Sequence, residues 1–361
     1  MEKKRKLKIA FLSFYSGEVS RGVETYVHEL SNKLVELGHE IVVYQNGPER
    51  INSKYKTVSV GFPIDWNQKG IEGRFLGIAF TDYYVRLIGK FTWKILKELN
   101  PNIDVLVTTN GSLQVLYGRV WSLINRVKHV VAGQSGPGAD DRWNLWCFPN
   151  TFIGMTKHHC DWAKRANPLV KIAKIANGVD LNKFRQNTKP LKIGLPRPIV
   201  LSVAALEEGK RIDLLVRAVG KLNKTSLLLV GRGKLENKLQ QLGDSLLKDR
   251  FKIISLPFES MPSVYNSCDL FSYPTVPWES FGIVMLEAMA SGLPVVAADD
   301  PIRREIVGDA GIFVDPTNAD KYAETLKKAL KLKWGSKPRR QAMKFNWDDI
   351  AKQYEELFLK L

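Results

Sequence analysis

Short apolar runs and helical stretches follow one another along the chain, and this order occurs twice. In the first half, the apolar run at 8–14 predicts a strand, and another strand is predicted at 40–44. Between them, segment 22–38 places apolar residues three and four positions apart, as on one face of a helix, and Gly38 supplies its C-cap. Further strands are predicted at 103–109, 129–133 and 152–156, and further helices at about 76–99, 112–127 and 157–166.

The pattern restarts after a proline-rich stretch at 189–198, which has the composition of a linker between domains. Strands are then predicted at 198–206, 226–231, 251–257 and 294–298, and helices at 211–222, 234–247, 281–292 and 347–361. Alternating strands and helices are typical of a parallel sheet covered by helices on both faces. We therefore expect an α/β protein with two Rossmann-like domains, 1–190 and 191–344, and a ligand site in the cleft between them.

The chain of 361 residues carries a net charge of +17, and the excess is spread evenly. Residues 1–180 hold 25 basic and 16 acidic residues, and residues 181–361 hold 29 and 21. No basic arm typical of nucleic-acid binding stands out. One local run, 327–344, has eight Lys or Arg and no acid. A solvated helix end is the favoured interpretation, and attraction to an anionic membrane or a phosphorylated acceptor is the alternative.

Cysteine usage and hydropathy indicate the compartment. Cys147, Cys160 and Cys268 are odd in number and form no CxxC pair, which favours a reducing compartment and argues against a zinc site. No run of about 18 apolar residues is present, and the basic start of the chain leads into a short apolar run without a cleavage site. We expect a soluble cytoplasmic protein, with peripheral contact at the inner membrane face as an alternative.

Glu287 is the only charged residue between Phe281 and Ala298. On a helix it shares a face with Ile283 and Ala290, so its carboxylate points where an apolar side chain is expected. A buried carboxylate needs hydrogen-bond partners or a counter-charge. The two hydroxyls of a ribose would occupy both of its oxygens, and a Lys or Arg from a neighbouring helix is the alternative.

Glu279 precedes the same predicted helix and is followed by Ser280, Phe281 and Gly282. The first N–H groups of a helix have no partner within the helix, and the helix dipole places partial positive charge there. The start of this helix is therefore suited to an anion such as a diphosphate.

The segment Glu279–Glu287, E-S-F-G-I-V-M-L-E, resembles the E-x7-E motif of glycosyltransferase family 4, the retaining enzymes of the GT-B fold. The resemblance covers nearly the whole chain and includes residues 176–184 (the family's N-G-V-D segment), 202–219 (its phosphate-binding loop and helix), 227–239 (its next strand and helix) and 347–361 (its C-terminal helix). It implies two domains facing each other across a cleft, with residues 345–361 crossing back to pack on the first domain.

The resemblance also implies roles for matching residues. Glu279 would contact the donor sugar near its reacting face, Glu287 would hold the ribose, and Lys210 would neutralise the diphosphate. Gly22 stands at the second of the family's paired glycines, where the backbone approaches donor or acceptor. Donor contacts from the start of the helix would come from Ser280, Phe281, Gly282 and Ile283.

Several positions depart from the family pattern. Ala205 stands where an arginine is usual, Arg211 stands in place of a glycine, and Arg21 replaces the first paired glycine. Either arginine could supply the missing charge or be a solvated surface residue. Gln134 stands where many members have a histidine, so no general base is implied there. Together with Arg21, Gln134 and Ser135 are candidates for the acceptor side.

No metal ion or other cofactor is expected. The sequence has no D-x-D pair, and the adjacent His158 and His159 point to different sides of a helix.

Trp143, Trp146 and Phe148 interleave with glycines in a predicted loop at 134–149. They could shape an acceptor site, but packing against the sheet edge is favoured.

The expected function is metal-independent, retaining transfer of a hexose from a nucleotide-diphosphate sugar to a sugar, lipid-linked or other hydroxyl acceptor. Positioned N–H groups and cations would stabilise the leaving phosphate in place of Mg²⁺. Two alternatives stay open. One is a nucleotide-sugar epimerase or hydrolase of the same fold. The other is a catalytically silent nucleotide-sugar-binding protein, suggested by Ala205 and Arg21. Nucleic acid is not an expected partner.

Overall fold

Residues 5–19, 21–68 and 82–361 are described by a computed structural model, and the chain divides into two units. The first unit consists of Met1–Asn177 and Trp347–Leu361, and the second of Gly178–Asn346. The second unit is therefore inserted in the chain before the last helix of the first. Within the described residues, no helix is both long enough and apolar enough to cross a membrane.

The chain enters the second unit at Gly178, earlier than the boundary after residue 190 expected from the proline-rich stretch. The residues that follow Gly178 are already held by the second unit. Arg339 donates hydrogen bonds to the backbone carbonyls of Leu181 and Phe184 at 2.8 and 2.5 Å. These bonds explain why the proline-rich stretch lies inside the second unit.

The first unit is built on a sheet with the strand order β3-β2-β1-β4-β5-β6-β7. All neighbouring strands are parallel. The order reverses between β1 and β4, the position at which such sheets bind ligands beyond their carboxyl ends. The strands are β1 (Lys8–Ser13), β2 (Glu40–Gln45), β3 (Lys56–Ser59), β4 (Val105–Thr108), β5 (Lys128–Ala132), β6 (Thr151–Gly154) and β7 (Ile172–Lys174).

Helices connect these strands. In the described residues they are α1 (Gly22–Glu36), α2 (Tyr83–Glu98), α3 (Ser112–Asn125), α4 (Ala139–Trp146) and α5 (Lys157–Ala166). Side-chain caps start two of them: Asp82 accepts from the backbone N–H of Val85, and Thr156 accepts from that of His159. Of the helix predicted at about 76–99, residues 76–81 lie outside the described residues.

The second unit has a parallel sheet of strand order β10-β9-β8-β11-β12-β13, with the reversal between β8 and β11. Its strands are β8 (Ile199–Val203), β9 (Ser226–Val230), β10 (Phe251–Ile254), β11 (Leu270–Tyr273), β12 (Val295–Ala298) and β13 (Gly311–Val314). Its helices are α6 (Ile212–Gly220), α7 (Glu236–Leu247), α8 (Met261–Tyr265), α9 (Ile283–Ala290), α10 (Pro301–Val307), α11 (Ala319–Lys331) and α12 (Lys337–Met343).

The last helix, α13 (Trp347–Leu359), returns to the first unit and joins its core. Tyr354 is fully buried, and its ring centre lies 5.9 Å from that of Tyr26 in α1. His39 Nδ1 accepts from a backbone N–H, so its Nε2 carries the proton and donates to the buried Glu355 at 2.9 Å. The expected α/β fold, with a C-terminal helix that crosses back, is confirmed.

Candidate active site

Lys210 and Glu279 meet at the strand reversal of the second sheet. Lys210 follows β8 and Glu279 follows the adjacent β11, so both lie beyond the carboxyl ends of neighbouring parallel strands. The Lys210 Nζ is 2.6 Å from Glu279 Oε1, with the two side chains 20% and 23% exposed. The sequence indicated both residues separately, but it did not indicate that they form an ion pair.

Backbone hydrogen bonds tie the loop that carries Lys210 to the loop that carries Glu279. Lys210 ends a single 3-10 turn that begins at Glu208. The carbonyl of Gly209 accepts from Thr275 Oγ1 at 3.0 Å and from the backbone N–H of Val276 at 3.1 Å. The direction of the lysine side chain is therefore set by the segment that follows β11.

Shifted pKa values fix the protonation states of Lys210 and Tyr273 at neutral pH. Burial alone would lower the pKa of Lys210, but Tyr273 and the Glu279 carboxylate raise it above its ordinary 10.5. Burial, with the nearby Glu279, raises the pKa of Tyr273 to about 12. Lys210 is therefore an ammonium and Tyr273 a neutral phenol. An ammonium has three N–H donors, so Lys210 can hold Glu279 and an anionic ligand together.

Helix α9 starts close to the Lys210–Glu279 pair, since Lys210 and the start of the helix lie against the same tyrosine ring, that of Tyr273. The Lys210 Nζ is 6.0 Å from the centre of the Tyr273 ring, and a Cβ built on Gly282 would lie 3.0 Å from the same ring. Gly282 has φ 80°, so a glycine is needed for both space and conformation. No side chain among the described residues caps the helix. Its first N–H groups therefore form a polar surface that suits an anion.

The other predicted residues of the α9 segment are arranged around this start. Phe281 is 1% exposed and packs edge-on against Phe345, with ring centres 6.1 Å apart. Ile283 is buried as the first residue of the helix, and Ser280 is half-buried before it. The Phe281 ring thus anchors the segment in the core of the second unit.

Glu287 is buried in α9 and has an internal partner. The fully buried Tyr265, at the end of α8, donates its hydroxyl to Glu287 Oε2 at 2.7 Å. Burial and this carboxylate raise the pKa of Tyr265 well above its ordinary range, so the hydroxyl keeps its proton. The sequence suggested a ribose or a neighbouring Lys or Arg as the partner. In the structure, the hydroxyl of Tyr265 is one of its partners.

Arg303, in α10, is a buried cation that sequence reasoning missed. It is 0% exposed, and its Nε donates to Asp300 Oδ2 at 2.7 Å. The remaining guanidinium nitrogens donate to the backbone carbonyls of Val276, Pro277 and Glu279. The available signal was an acid at the helix start with an arginine three residues later, a pattern that also fits a solvated helix end.

Ala205, which stands where the family usually has an arginine, lies half-buried after β8. Arg211 occupies the family's glycine position in a left-handed conformation, with φ 50°. Hydrogen bonds from Thr317 lower the pKa of Asp315, and the charge of Arg211 lowers it further. Arg211 thus acts electrostatically on Asp315, and its role as a substitute for the missing arginine stays a prediction.

In the first unit, Arg21 and Gly22 stand at the start of α1, where both are exposed. The backbone N–H of Arg21 donates to the carboxylate of Glu24 at 3.1 Å. Glu24 is 2% exposed, and burial raises its pKa. The loop after β1 therefore presents a cation beside a buried carboxyl group.

Gln134 and Ser135 follow β5, again beyond a carboxyl end of the sheet. Asn177 Nδ2 donates to Gln134 Oε1 at 3.1 Å, and Ser135 is exposed. The backbone N–H of Gly136 donates to the buried Asp141 at 3.0 Å. These bonds give the loop a defined shape and leave Ser135 open to solvent.

The predicted loop at 134–149 contains helix α4, which changes the picture of its aromatic residues. Trp143 is half-buried in this helix, and its Nε1 donates to the carbonyl of Ser112 at 3.3 Å. Trp146 and Phe148 are 57% and 40% exposed, contrary to the favoured packing against the sheet.

Two further observations concern metal binding. His159 Nε2 lies 3.2 Å from Asp141 Oδ2, and both side chains are buried. Across the described ranges, no group of three or more His, Cys, Asp or Glu is placed to hold a metal ion.

Known proteins with similar sequences show what the second unit resembles. Residues 183–346, nearly all of the second unit, match the family described as Glycosyl transferases group 1. Over 89% of this chain and 84% of the relative, the sequence is 29% identical to the phosphatidyl-myo-inositol mannosyltransferase of Mycolicibacterium smegmatis. The second unit is a group 1 glycosyltransferase domain.

Solved structures show the fold of this chain over almost its whole length. Sucrose-phosphate synthase from Thermosynechococcus elongatus aligns with a TM-score of 0.80 and 19% identity, covering 98% of this chain and 99% of that one. Anabaena HepE, in complex with UDP and glucose, aligns with a TM-score of 0.77 and 18% identity, covering 98% and 100%. The chain has the GT-B fold. Lys210, Glu279, Glu287 and Arg303 lie inside the family match, whereas Arg21 and Gln134 lie outside it.

Proposed function

We propose that this protein is a glycosyltransferase that moves a hexose from a nucleotide-diphosphate sugar to a hydroxyl acceptor, with retention of configuration and without a metal ion. The observation that carries the proposal is the Lys210–Glu279 ion pair, which lies close to the uncapped start of α9. The similar proteins support a nucleotide-sugar donor and a hexose: one is a phosphatidyl-myo-inositol mannosyltransferase, and one structural neighbour is in complex with UDP and glucose.

The donor diphosphate would bind the first N–H groups of α9 and the ammonium of Lys210. When the bond between the sugar and the phosphate breaks, negative charge develops on the phosphate oxygen. Fixed N–H donors and a fixed ammonium stabilise that charge without reorganisation. The raised pKa of Lys210 keeps it charged throughout the neutral range.

Glu279 would lie beside the sugar carbon that becomes cationic, since its carboxylate is 2.6 Å from the ammonium that holds the phosphate. The acceptor hydroxyl attacks from the face that the phosphate leaves. Its oxygen forms the new bond to the sugar carbon, and its proton passes to the departing phosphate. The product then keeps the configuration of the donor.

Glu287 would accept hydrogen bonds from the ribose hydroxyls of the donor. Tyr265 donates to one of its oxygens at 2.7 Å and thereby fixes the direction of the carboxylate. An ionised carboxylate accepts several hydrogen bonds, so ribose hydroxyls would add to the bond from Tyr265.

Ligand binding and transfer test this proposal in sequence. A nucleoside diphosphate at about 100 times its Kd should stabilise the full chain by about 2.7 kcal/mol, measured as a higher Tm across a panel of nucleotides and their sugars. Transfer to candidate acceptors is then followed by NMR of the anomeric proton. An inverted product contradicts retention. Donor conversion without an acceptor supports the epimerase or hydrolase alternative, and binding without turnover supports a silent binding protein.

A surface of the first unit supports a lipid-linked acceptor at an anionic membrane. Four large apolar side chains are exposed on α2 and α3: Trp93, Val120, Leu123 and Ile124, at 56%, 49%, 60% and 76%. We name this set the α2–α3 patch. The Trp93 ring lies 6.0 Å from that of Tyr117 on α3, so the two helices contact each other at the patch.

Basic residues surround the α2–α3 patch. Exposed cations on or next to the two helices are Arg86, Lys90, Lys94, Lys97, Arg126 and Lys128, and the only acid in either helix is Glu98. An apolar surface bordered by Lys and Arg combines burial in the lipid interface with attraction to anionic headgroups. This combination favours an anionic bilayer over a protein partner.

Vesicle sedimentation tests the membrane proposal. The full chain should sediment with phosphatidylglycerol vesicles and much less with phosphatidylcholine vesicles. Leu123→Ser combined with Ile124→Ser should weaken this binding at least about tenfold, since two exposed apolar side chains leave the lipid. Leu169→Ser is the matched control, because Leu169 is 81% exposed outside the patch. Equal binding by the double variant, or no binding by the parent, contradicts the proposal.

A further inference from the structure

We infer that Arg303 is a positioning residue for the Lys210–Glu279 pair, an inference that rests on the proposed function. Its guanidinium is entirely buried, and it donates hydrogen bonds to Asp300 and to three backbone carbonyls. Its contacts converge on one short stretch of backbone, Val276–Glu279, which follows β11.

The guanidinium binds three carbonyls from this stretch of four residues. Nη1 donates to the carbonyl of Glu279 at 2.7 Å. Nη2 donates to the carbonyls of Val276 and Pro277 at 3.1 and 2.9 Å. A planar guanidinium presents its N–H groups in a rigid fork, so it holds several carbonyls in one fixed arrangement, whereas a lysine ammonium is a flexible point donor.

The same stretch holds both members of the ion pair. The backbone N–H of Glu279 donates to the carbonyl of Val276 at 3.1 Å, which closes a turn before the carboxylate. The backbone N–H of Val276 donates to the carbonyl of Gly209, the residue before Lys210. A shift of this turn would therefore disturb the positions of both the carboxylate and the ammonium.

The charge of Arg303 is neutralised within the fold, which separates its role from that of a ligand-binding cation. Asp300 Oδ2 accepts from Arg303 Nε at 2.7 Å, and Asp300 Oδ1 accepts from the backbone N–H groups of Ile302 and Arg303 at 3.0 Å each. Arg303 thus does not replace the arginine missing at Ala205. It sets the geometry in which Glu279 and Lys210 act.

Kinetics of the full chain test this role. Arg303→Lys keeps a cation near Asp300 but cannot bridge three carbonyls. We expect kcat to fall at least about tenfold while the Kd for the nucleoside diphosphate changes by less than about threefold. Arg303→Met should lower kcat further. In a Glu279→Gln background, the loss of kcat caused by Arg303→Lys should shrink to less than about threefold, because the group that it positions has already been removed.

Arg339 provides the matched control. It also donates to three backbone carbonyls of the second unit, those of Leu181, Phe184 and Ala290. Arg339→Lys should lower the Tm by an amount similar to that for Arg303→Lys, with kcat within about twofold of the parent. An unchanged kcat in Arg303→Lys, or an equal loss with and without the Glu279 carboxylate, overturns the inference.

A result without turnover remains informative. If the parent transfers no sugar, the proposed function fails, and the geometry is then tested by urea unfolding. The coupling between Lys210 and Glu279, from a double-mutant cycle, should disappear in the Arg303→Lys background if Arg303 positions the pair. Coupling that persists there overturns the inference independently of activity.

Discussion

At the scale of the residue, Lys210 and Glu279 form an ion pair in the candidate active site. The sequence indicated a lysine for the phosphate and a glutamate for the sugar, far apart in the chain. The structure places their charged atoms 2.6 Å apart. Such a contact depends on which strands are neighbours, and the local pattern of residues carries no information about that.

The first prediction at this scale concerns the cations. Lys210→Ala should be the most damaging basic substitution, because it removes the ammonium at the proposed phosphate site and leaves Glu279 without its partner. Either Arg211→Ala or Arg21→Ala should also lower kcat/KM at least about tenfold, equivalent to about 1.4 kcal/mol of transition-state stabilisation.

Steady-state kinetics with saturating acceptor separates the possible results. A loss confined to Arg211→Ala places the compensating charge in the second unit, and a loss confined to Arg21→Ala places it in the first. Normal kcat/KM in both variants contradicts compensation for Ala205. An inactive parent that becomes active as Ala205→Arg would favour the silent binding protein.

The second prediction separates the two glutamates. Glu279→Gln should lower kcat with little change in nucleotide affinity, because its partner is the sugar at the reacting carbon. Glu287→Gln should mainly raise the Kd for donor and nucleotide, measured by calorimetry. Tyr265→Phe, which removes the hydroxyl that holds Glu287, should weaken nucleotide binding in the same direction but less. The opposite assignment of effects would show that the two roles are exchanged.

At the scale of the element, several helices and most of the short buried strands could be predicted from the pattern, but some elements could not. The helix predicted at 157–166 is α5, and the one predicted at 347–361 contains α13. Strand β11 was not predicted, although the loop after it carries Glu279 and the carbonyls bound by Arg303. Its sequence, LFSY, includes the buried Ser272, so its apolar run is interrupted and harder to distinguish from the neighbouring loops.

The buried polar contacts of Arg303 could not be predicted from the sequence either. Arg303 lies beside Arg304 in a short helix, where two adjacent arginines resemble a solvated surface. Arg304 is indeed exposed and pairs with Asp299, while Arg303 is buried. Only the packing of α10 against the loop after β11 distinguishes them, and that packing is a tertiary property.

A prediction at this scale concerns His129 in strand β5. It is fully buried, with Nε2 3.0 Å from Thr108 Oγ1. Burial, with the charge of Arg119 adding to it, lowers the pKa of His129 from 6.5 to about 3. Between these values the unfolded chain binds a proton that the folded chain does not. Above pH 6.5, the free energy of unfolding therefore keeps the full contribution of the neutral His129. Below that pH, the free energy of unfolding falls by about 1.4 kcal/mol per pH unit.

Urea unfolding tests this pH dependence. His129→Gln, which cannot be protonated, should lose about 2 kcal/mol less stability than the parent between pH 6.5 and pH 5. His158→Gln is the control, because that histidine is only partly buried. Identical slopes for the parent and His129→Gln would contradict a neutral buried imidazole.

At the scale of the whole molecule, the proposed chemistry depends on fixed charges of the protein rather than on an added ion. Activity should therefore persist after treatment with EDTA and dialysis. The measurement is the initial rate with and without chelator and with added Mg²⁺ or Mn²⁺. A rate that is lost on chelation and restored by either ion would contradict the metal-free mechanism.

The insertion of the second unit before α13 has a consequence for how the protein is made. A ribosome releases residues 178–346 as one uninterrupted stretch, so the second unit can fold as soon as that stretch has emerged. The first unit, although started earlier, must wait for the helix that covers Tyr26. During that interval its apolar surface is open to chaperones and proteases. A nascent chain that stalls before Trp347 would carry a finished second unit and an unfinished first one, and cellular quality control would be expected to remove it.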